Sequence, residues 1–332
     1  MTADDIAAGA GAPDLSTVTA VARAAGRAPS LHNSQPWRLF FDGTRLHLSS
    51  DPERLLPMAD PSGRQRVISC GALLHHLEMA FEVRGWHADV DRLPDPDQPD
   101  LLATLTFQPV LAPGERVVAL AGAIGARRSF RPPMAAPPGW ERALPELTEA
   151  AAGTGIAVDE LPESASDRLA AASGQAAALR RFDQPYQSEL RWWTGNFDLP
   201  EGIPPTALTP AGQAERVPVR RDFPTPPGPA RPAGAEVDHA RLIALSSTGD
   251  SPEQWLRTGE ALSAVLLAAT AAGFGTCPLT HITELPAARR ILAGLLPDGR
   301  APQVVVRIGA APPPEPTPPT PRRTVTDYLA TR

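Results

Sequence analysis

The stretch Pro29-Ser-Leu-His-Asn-Ser-Gln-Pro-Trp37 is the most informative motif in this 332-residue chain for predicting its fold and function. Two prolines restrict the backbone at its ends, and hydroxyl, imidazole and amide groups lie between them. A simple turn does not need so many donors and acceptors. The stretch therefore predicts a loop that presents polar groups to the edge of a planar heteroaromatic ring.

A second polar motif, Arg127-Arg-Ser-Phe-Arg131, follows a predicted helix and precedes two prolines. Alternate side chains of an extended segment point to the same side, so Arg127, Ser129 and Arg131 would face one ligand. Two guanidinium groups and a hydroxyl suit a phosphate monoester. The alternative interpretation is a solvated basic patch.

The composition excludes several classes of function. All 31 basic side chains are arginine, so Schiff-base, P-loop lysine and lysine general-base chemistry are absent. A net charge of −6 and a pI near 5.7 argue against a nucleic-acid partner. No metal site is expected, because adjacent helical residues such as His75 and His76 diverge by about 100° and do not easily chelate one ion.

The chain carries no recognisable targeting or membrane segment. Its start is acidic rather than cationic, and two cysteines, Cys70 and Cys277, do not form a disulfide framework. The longest apolar run, 261–275, is shorter than the roughly 20 residues of a spanning helix. We expect a cytoplasmic protein that does not contact the membrane.

Hydrophobic periodicity indicates a mixture of helices and strands, and so an α+β fold. Alternating runs predict a hairpin around Asp42-Gly43 and further strands elsewhere. The predicted helices are Leu15 to Gly26, Gln65 to Val83, Val117 to Ala126, Trp140 to Ala152 and Trp255 to Ala272. The predicted strands are Arg38–Phe41, Arg45–Leu48, Leu101–Phe107 and Gln303–Ile308.

Glycine spacing suggests an internal repeat. Gly71 and Gly85 are 14 residues apart, as are Gly259 and Gly273, and each pair frames about four turns of predicted helix. One interpretation is a fused dimer in a single chain. The alternative is two unrelated amphipathic helices with glycine ends. The first interpretation divides the chain into halves at 14–110 and 111–311, followed by an arm at 312–332.

Two segments are rich in proline. Residues 200–232 contain ten prolines and form a predicted long loop inserted into the second half, of the kind that serves as a lid or is disordered. Residues 312–321 contain seven prolines and predict an extended arm that ends in a short tail at Tyr328 and Leu329.

Together the two polar motifs resemble the nitroreductase family, and Pro-Ser-x-His-Asn-x-Gln-Pro-Trp is similar to its Acg-type branch of FMN-binding proteins. The resemblance runs from about residue 15 to 310 and includes Trp192-Trp-Thr-Gly195, Gly202-Ile-Pro204 and Pro302 to Gly309. It implies a nitroreductase-like α+β fold with two pseudo-symmetric halves and FMN at their interface.

The resemblance also implies site residues. In the family's homodimers one subunit supplies the Arg-x-Ser-x-basic motif and a late basic strand residue, and the other supplies Pro-Ser-x-x-Asn. The second half would supply Arg127, Ser129, Arg131 and Arg307, and the first half Pro29, Ser30, Asn33 and Gln35. The backbone around Pro278, Leu279 and Thr280 would lie near flavin N5. Val305 stands where the family often has a second basic residue, a departure that would weaken phosphate binding.

The implied activity is an FMN-dependent oxidoreductase with ping-pong hydride transfer through N5, from NAD(P)H or an organic donor to a small acceptor. No side chain need act as acid or base. One alternative is a flavin-sequestering protein in which residues 200–232 close over the ring. Another is a specialised biosynthetic flavin oxidase, although azoline-oxidising relatives use a Lys-Tyr pair and this chain has no lysine.

Each predicted half lacks the motif that the other carries. The sequence therefore predicts one complete flavin site per chain, with Asn33 and Arg131 on the same flavin. A monomer would suffice for that site, and a homo-oligomer stays open.

Overall fold

The structure is a computed structural model that describes residues 11–195, 199–224, 233, 235–297, 299–312 and 320–332. Its helices are α1 Leu15–Ala25, α2 Arg64–Glu82, α3 Glu115–Ala123, α4 Trp140–Ala150, α5 Ser166–Arg181, α6 Gln184–Gly195, α7 Ala211–Ala214, α8 Pro252–Ala271, α9 His281–Glu284 and α10 Pro286–Ala293. Its strands are β1 Trp37–Phe41, β2 Leu46–Ser50, β3 Trp86–Arg92, β4 Leu101–Pro109, β5 Ala157–Glu160, β6 Arg241–Ser247, β7 Gly275–Leu279, β8 Ala301–Gly309 and β9 Leu329–Thr331.

The strands form two sheets, as expected for an α+β protein. The first has the order β3-β4-β2-β1-β9 and the second the order β5-β6-β8-β7. All neighbours are antiparallel except β1 and β9, which are parallel. Helix α2 packs on the first sheet and α8 on the second, and the two helices pack against each other. The two sheets are thus joined through this pair of helices.

Helices α2 and α8 cross where Gly71 and Gly259 meet. A Cβ atom on either glycine would lie 3.0 Å or less from the Cα atom of the other. A Cβ on Gly71 would collide with the carbonyl oxygen of Leu256, and a Cβ on Gly259 with that of Ile68. Each colliding carbonyl lies three residues before the opposing glycine. The contact is therefore reciprocal, as expected when two copies of one motif face each other.

The hydrophobic cores of the two sheets are also related reciprocally, because each helix contributes one residue to the core of the opposite sheet. Most apolar residues of α2 pack with the first sheet and most of those of α8 with the second. Ile68 of α2 nevertheless lies in the core of the second sheet, and Leu256 of α8 in the core of the first. Gly85 and Gly273, which follow the two helices, have similar left-handed φ angles of 82° and 83°. These observations favour the internal repeat, while the proposed division at residues 110 and 111 stays a prediction.

The C-terminal segment docks on the first sheet, which the sequence did not predict. Leu329 to Thr331 form β9 and pair with Leu39 to Phe41. The Tyr328 hydroxyl donates a hydrogen bond of 2.9 Å to the carbonyl of Ala22. The expected short tail is thus a strand, and most of the predicted extended arm lies outside the described residues.

The predicted helices and strands all occur, with ends shifted by a few residues. Among the described elements, the sequence missed the strands β3, β5, β6, β7 and β9 and the helices α5, α6, α7, α9 and α10. Within the described part of the chain, no helix is long and apolar enough to cross a membrane.

We predict that Gly71→Ala lowers the free energy of unfolding by about 3 kcal/mol or more, because the added methyl group meets backbone that cannot move independently. The control is Gly174→Ala in α5, where a Cβ has no neighbour within 4 Å. Alanine there should stabilise the helix by about 0.5–1 kcal/mol. Urea unfolding measures both changes, and equal midpoints for the two variants would contradict the tight crossing.

Candidate functional site

A cavity of about 940 Å³ lies where α2, α8, β7 and the proline-rich segment come together. Its lining includes Ile68 of α2 and Leu262 of α8, which each lie three residues from the glycine crossing. Pockets that hold cofactor-sized ligands are typically about 300–1,000 Å³. The cavity is therefore large enough for a cofactor.

Ten of the eleven residues predicted from the sequence line this cavity. They come from four separate parts of the chain, and folding brings both polar motifs to one site. The ten are Pro29, Ser30, Asn33, Arg127, Ser129, Arg131, Pro278, Leu279, Thr280 and Arg307. Gln35 is the exception, since it is buried behind the loop rather than on the cavity wall.

The loop after Pro29 has an unusual backbone. His32, Asn33 and Gln35 have φ angles of 50°, 58° and 49°, in the left-handed region that residues other than glycine seldom adopt. Such conformations cost of order 1–3 kcal/mol each and cluster at functional sites. The hydroxyl of Ser30 accepts a hydrogen bond of 3.0 Å from the backbone N–H of Gln35, which helps to hold this turn.

Asn33 and Gln35 connect the loop to two distant segments. The Asn33 amide nitrogen donates to the carbonyls of Gly202 at 2.9 Å and Pro321 at 3.0 Å. The Gln35 amide nitrogen donates to the carbonyl of Pro200 at 2.9 Å, and its oxygen accepts from the backbone N–H of Arg323 at 2.9 Å. Both side chains therefore fix the cavity wall, and the Asn33 amide hydrogens are already used within the protein.

The second motif is extended, as its sequence predicted, because it lies against β7. Ser129 forms a parallel bridge with Thr276, and the N–H of Phe130 donates to the carbonyl of Thr276 at 2.7 Å. Arg131 reaches the carbonyl of Ala207 at 3.0 Å, and its guanidinium lies 5.3 Å from the ring centre of Phe223.

The arginines of the predicted site differ in their electrostatics. Arg307 is 1% exposed and makes two hydrogen bonds to Asp238, of 2.9 and 2.6 Å, so the protein itself neutralises its charge. Arg127 is 7% exposed, and its Nε atom has no partner among the described residues. Burial and the nearby Arg27 lower the pKa of Arg127 to about 10, so it stays charged at neutral pH. Arg127 is therefore the better candidate for binding an anion.

His32 also faces the cavity without a partner for either ring nitrogen in the described chain. It is 4% exposed and lies edge-on to Phe223, with 6.0 Å between ring centres. Burial, together with the charges of Arg221 and Arg131, lowers its pKa well below the usual 6.5. The imidazole is thus neutral at physiological pH and offers one donor and one acceptor.

Residues 199–224, which include the described part of the proline-rich segment, form one wall of the cavity. Phe223 and Arg221 lie on that wall. Arg221 forms a buried ion pair with Glu284, and its Nη2 donates to Thr280 Oγ1 at 3.0 Å. Arg54 forms a second ion pair, with Glu201. These contacts attach the wall to residues of both predicted halves, Arg54 in the first and Thr280 and Glu284 in the second. Residues 225–232 of the predicted lid lie outside the described residues.

Several lining residues were not assigned to the site from the sequence. The local pattern did not identify Arg27, Gln65 and Arg322, because only the tertiary fold brings them to the cavity. His32 was part of the first polar motif, but the sequence did not show that both of its ring nitrogens are buried without a partner in the described chain. In the described part of the chain, no group of three His, Cys, Asp or Glu side chains could hold a metal ion.

The chain is similar to two mycobacterial proteins over nearly its full length. It is 40% identical over 327 residues to the Mycobacterium tuberculosis H37Rv protein named "Putative NAD(P)H nitroreductase acg", covering 96% of this chain and 98% of that protein. A second protein of that strain, with the same NAD(P)H nitroreductase description, is 38% identical over 323 residues, which are 96% of this chain and 92% of that one. No protein-family model matches the chain.

Solved structures of nitroreductases are more distant. One from Anabaena variabilis gives a TM-score of 0.49 at 11% identity and covers 80% of this chain and 69% of its own. A nitroreductase with bound FMN from Bacteroides fragilis gives a TM-score of 0.34 at 17% identity and covers 60% and 94%. Both scores are below 0.5, so the family assignment comes from the sequence relatives.

We predict that His32→Asn changes how stability depends on pH. In the parent, the unfolded chain protonates this histidine near pH 6.5 but the folded chain does not, so folding stability falls as the pH drops below 6.5. The variant lacks this loss, and asparagine tolerates the left-handed backbone. The free energy of unfolding of the variant, measured relative to that of the parent, should therefore rise by about 1.4 kcal/mol for each pH unit below 6.5.

Urea unfolding between pH 7.5 and about 5 measures this difference. His87→Asn, which replaces a half-exposed histidine, is the control and should follow the parent. A His32→Asn curve parallel to the parent's would mean that His32 is accessible to protons in the folded protein.

Proposed function

The chain belongs to the nitroreductase family, and on that premise we propose that it is an FMN-dependent oxidoreductase acting on a small molecule. The electron donor in this proposal is NAD(P)H or an organic donor, and NAD(P)H agrees with the names of the mycobacterial relatives. The observation that carries the proposal is the cavity lined by both polar motifs, with an uncompensated guanidinium and unpartnered polar atoms on its wall.

The residues of the cavity fit FMN in three respects. Arg127 has a buried Nε without a partner, which suits the phosphate, and Ser129 lies beside it in the same extended segment. The Gln65 amide nitrogen and the neutral imidazole of His32 are buried without partners among the described residues and suit the polar edge of a flavin ring. Ile68 and Leu262 offer an apolar surface for the ring itself.

Bound FMN would supply hydride transfer through N5 in two half-reactions, first from the donor and then to the acceptor. The protein's own residues bind and orient the reactants. Arg127 would hold the anionic end, and Arg131 and Phe223 would form a cationic and aromatic wall over which a planar acceptor can stack. The segment 199–224 would limit the access of water to the cavity.

A second candidate function is flavin sequestration. It is favoured by the fastening of residues 199–224, because the buried Arg221–Glu284 pair and the Arg54–Glu201 pair hold this wall in place. A wall held in this way would act as a lid that excludes nicotinamide from the flavin.

One chain suffices for the proposed site, because both motifs of a single chain line the cavity. The site residues proposed here are those predicted from the sequence, with Gln35 acting through its support of the loop. Arg307 would help to define the shape of the cavity wall but add little net positive charge, since Asp238 neutralises it. Val305 lies in an apolar core cluster, so the family's extra basic group is absent there.

The proposal predicts that the FMN-loaded protein loses its flavin absorbance on anaerobic mixing with NADH or NADPH, and regains it on adding a nitroaromatic acceptor. Stopped-flow spectroscopy measures both steps, and free FMN at the same concentration is the control. Bleaching no faster than for free FMN, on a protein that holds the flavin, would support sequestration. A protein that binds no flavin would contradict both functions.

A further inference from the structure

Three arginines meet at the cavity from widely separated parts of the chain. Arg27 follows α1, Arg127 follows α3, and Arg322 belongs to the C-terminal segment, and all three line the cavity. The Nη2 atoms of Arg127 and Arg322 both donate to the carbonyl oxygen of Arg27, at 3.2 and 3.3 Å. The two guanidinium groups therefore share one acceptor and lie close together.

These three charges have no counterion within the described residues. No carboxylate oxygen there lies within 4.0 Å of Arg27, Arg127 or Arg322, and the Nε atoms of Arg27 and Arg127 are buried without partners. Burial and the two neighbouring cations lower the pKa of Arg322 to about 9, which still leaves it charged at neutral pH. Uncompensated like charges are unfavourable in a folded protein.

Other buried arginines of the same cavity are neutralised. Arg221 is paired with Glu284, and Arg307 with Asp238. The whole chain carries a net charge of −6, so acidic side chains are not scarce. Within the described residues, by contrast, no carboxylate lies beside Arg27, Arg127 and Arg322, and such an arrangement suits an anion supplied from outside the chain.

We infer that Arg27, Arg127 and Arg322 together bind a phosphate monoester, and that the C-terminal segment is therefore part of the ligand site. Three guanidinium groups match the dianionic charge and the several acceptor oxygens of such a group. The inference rests on the proposed function in assigning this phosphate to FMN. The 2′-phosphate of NADPH has the same chemistry and is the alternative source.

The C-terminal segment is held so that Arg322 is already in position. Pairing of β9 with β1 and the Tyr328 hydrogen bond to Ala22 fix the end of the segment. The guanidinium of Arg323, next to Arg322, donates to the carbonyls of Gln35 at 3.0 Å and Trp37 at 3.2 Å. An anion that neutralises Arg322 removes its repulsion with the other two arginines. Phosphate binding should therefore tighten the docking of residues 320–332.

The experiment compares the parent, Arg322→Gln, Arg27→Gln and the control Arg332→Gln, which changes an exposed arginine of the same segment. Flavin fluorescence measures the Kd of FMN and of riboflavin, which lacks the phosphate. Arg322→Gln and Arg27→Gln should each weaken FMN about tenfold to more than a hundredfold, because a charged hydrogen bond contributes about 1.5–3 kcal/mol. Riboflavin binding by all four proteins, and FMN binding by Arg332→Gln, should stay close to the parent.

Two further readouts do not depend on activity. Hydrogen–deuterium exchange of residues 320–332 should slow with FMN but not with riboflavin in the parent, and slow less in Arg322→Gln. FMN should raise the urea midpoint of the parent more than that of Arg322→Gln, because a ligand that binds the folded state more tightly stabilises it more. Arg27→Gln tests the same site without altering the C-terminal segment, should Arg322→Gln fail to fold.

Unchanged FMN affinity in both variants, with unchanged preference for NADPH over NADH, would overturn the inference. Unchanged FMN affinity with a lost NADPH preference would support the phosphate site and overturn its assignment to FMN. If the parent binds no flavin, the proposed function fails separately. Calorimetric titration with inorganic phosphate then decides the site, since equal binding by parent and variants would contradict it.

Discussion

The contact between Gly71 and Gly259 is the constraint on which the rest of the structure depends. Because neither residue has a side chain, the backbones of α2 and α8 are in direct contact. Ile68 of α2 packs in the core of the second sheet, and Leu256 of α8 packs in the core of the first. Residues three positions from each glycine, Ile68 and Leu262, reach the cavity wall. Wider helix spacing would move the two polar motifs apart, so the proposed site depends on this crossing as directly as the fold does.

Several features of the cavity are energetically unfavourable in the folded chain without a ligand. The loop holds three left-handed residues. In the part of the chain that the structure describes, His32 has no partner for its ring nitrogens and the arginine cluster has no carboxylate nearby. Each of these costs free energy that the surrounding hydrogen bonds and core must offset. Their concentration at one place is expected when a ligand supplies the missing partners, and it connects the backbone geometry with the proposed FMN site.

Local patterns in the sequence predicted five of the ten described helices, the first hairpin and both polar motifs, because those signals lie within short stretches. The sequence did not predict β9 or the position of Arg322 at the cavity, since strand pairing and charge clustering depend on contacts between residues almost 300 positions apart. The family resemblance implied that Gln35 and Asn33 contact the flavin, and both contacts stay predictions. Gln35 lies off the cavity wall, with hydrogen bonds to Pro200 and Arg323. Asn33 lines the cavity, and its amide hydrogens are already used within the protein.

The central claim is that both polar motifs of one chain build a single flavin site. Calorimetric titration of the flavin-free protein with FMN, at protein concentrations well above Kd, counts the sites directly. We expect one equivalent of FMN per 35.1 kDa chain, whether the protein is a monomer or an oligomer. Two equivalents per chain would mean that each half builds its own site, and half an equivalent would mean that two chains share one; either result would contradict the claim.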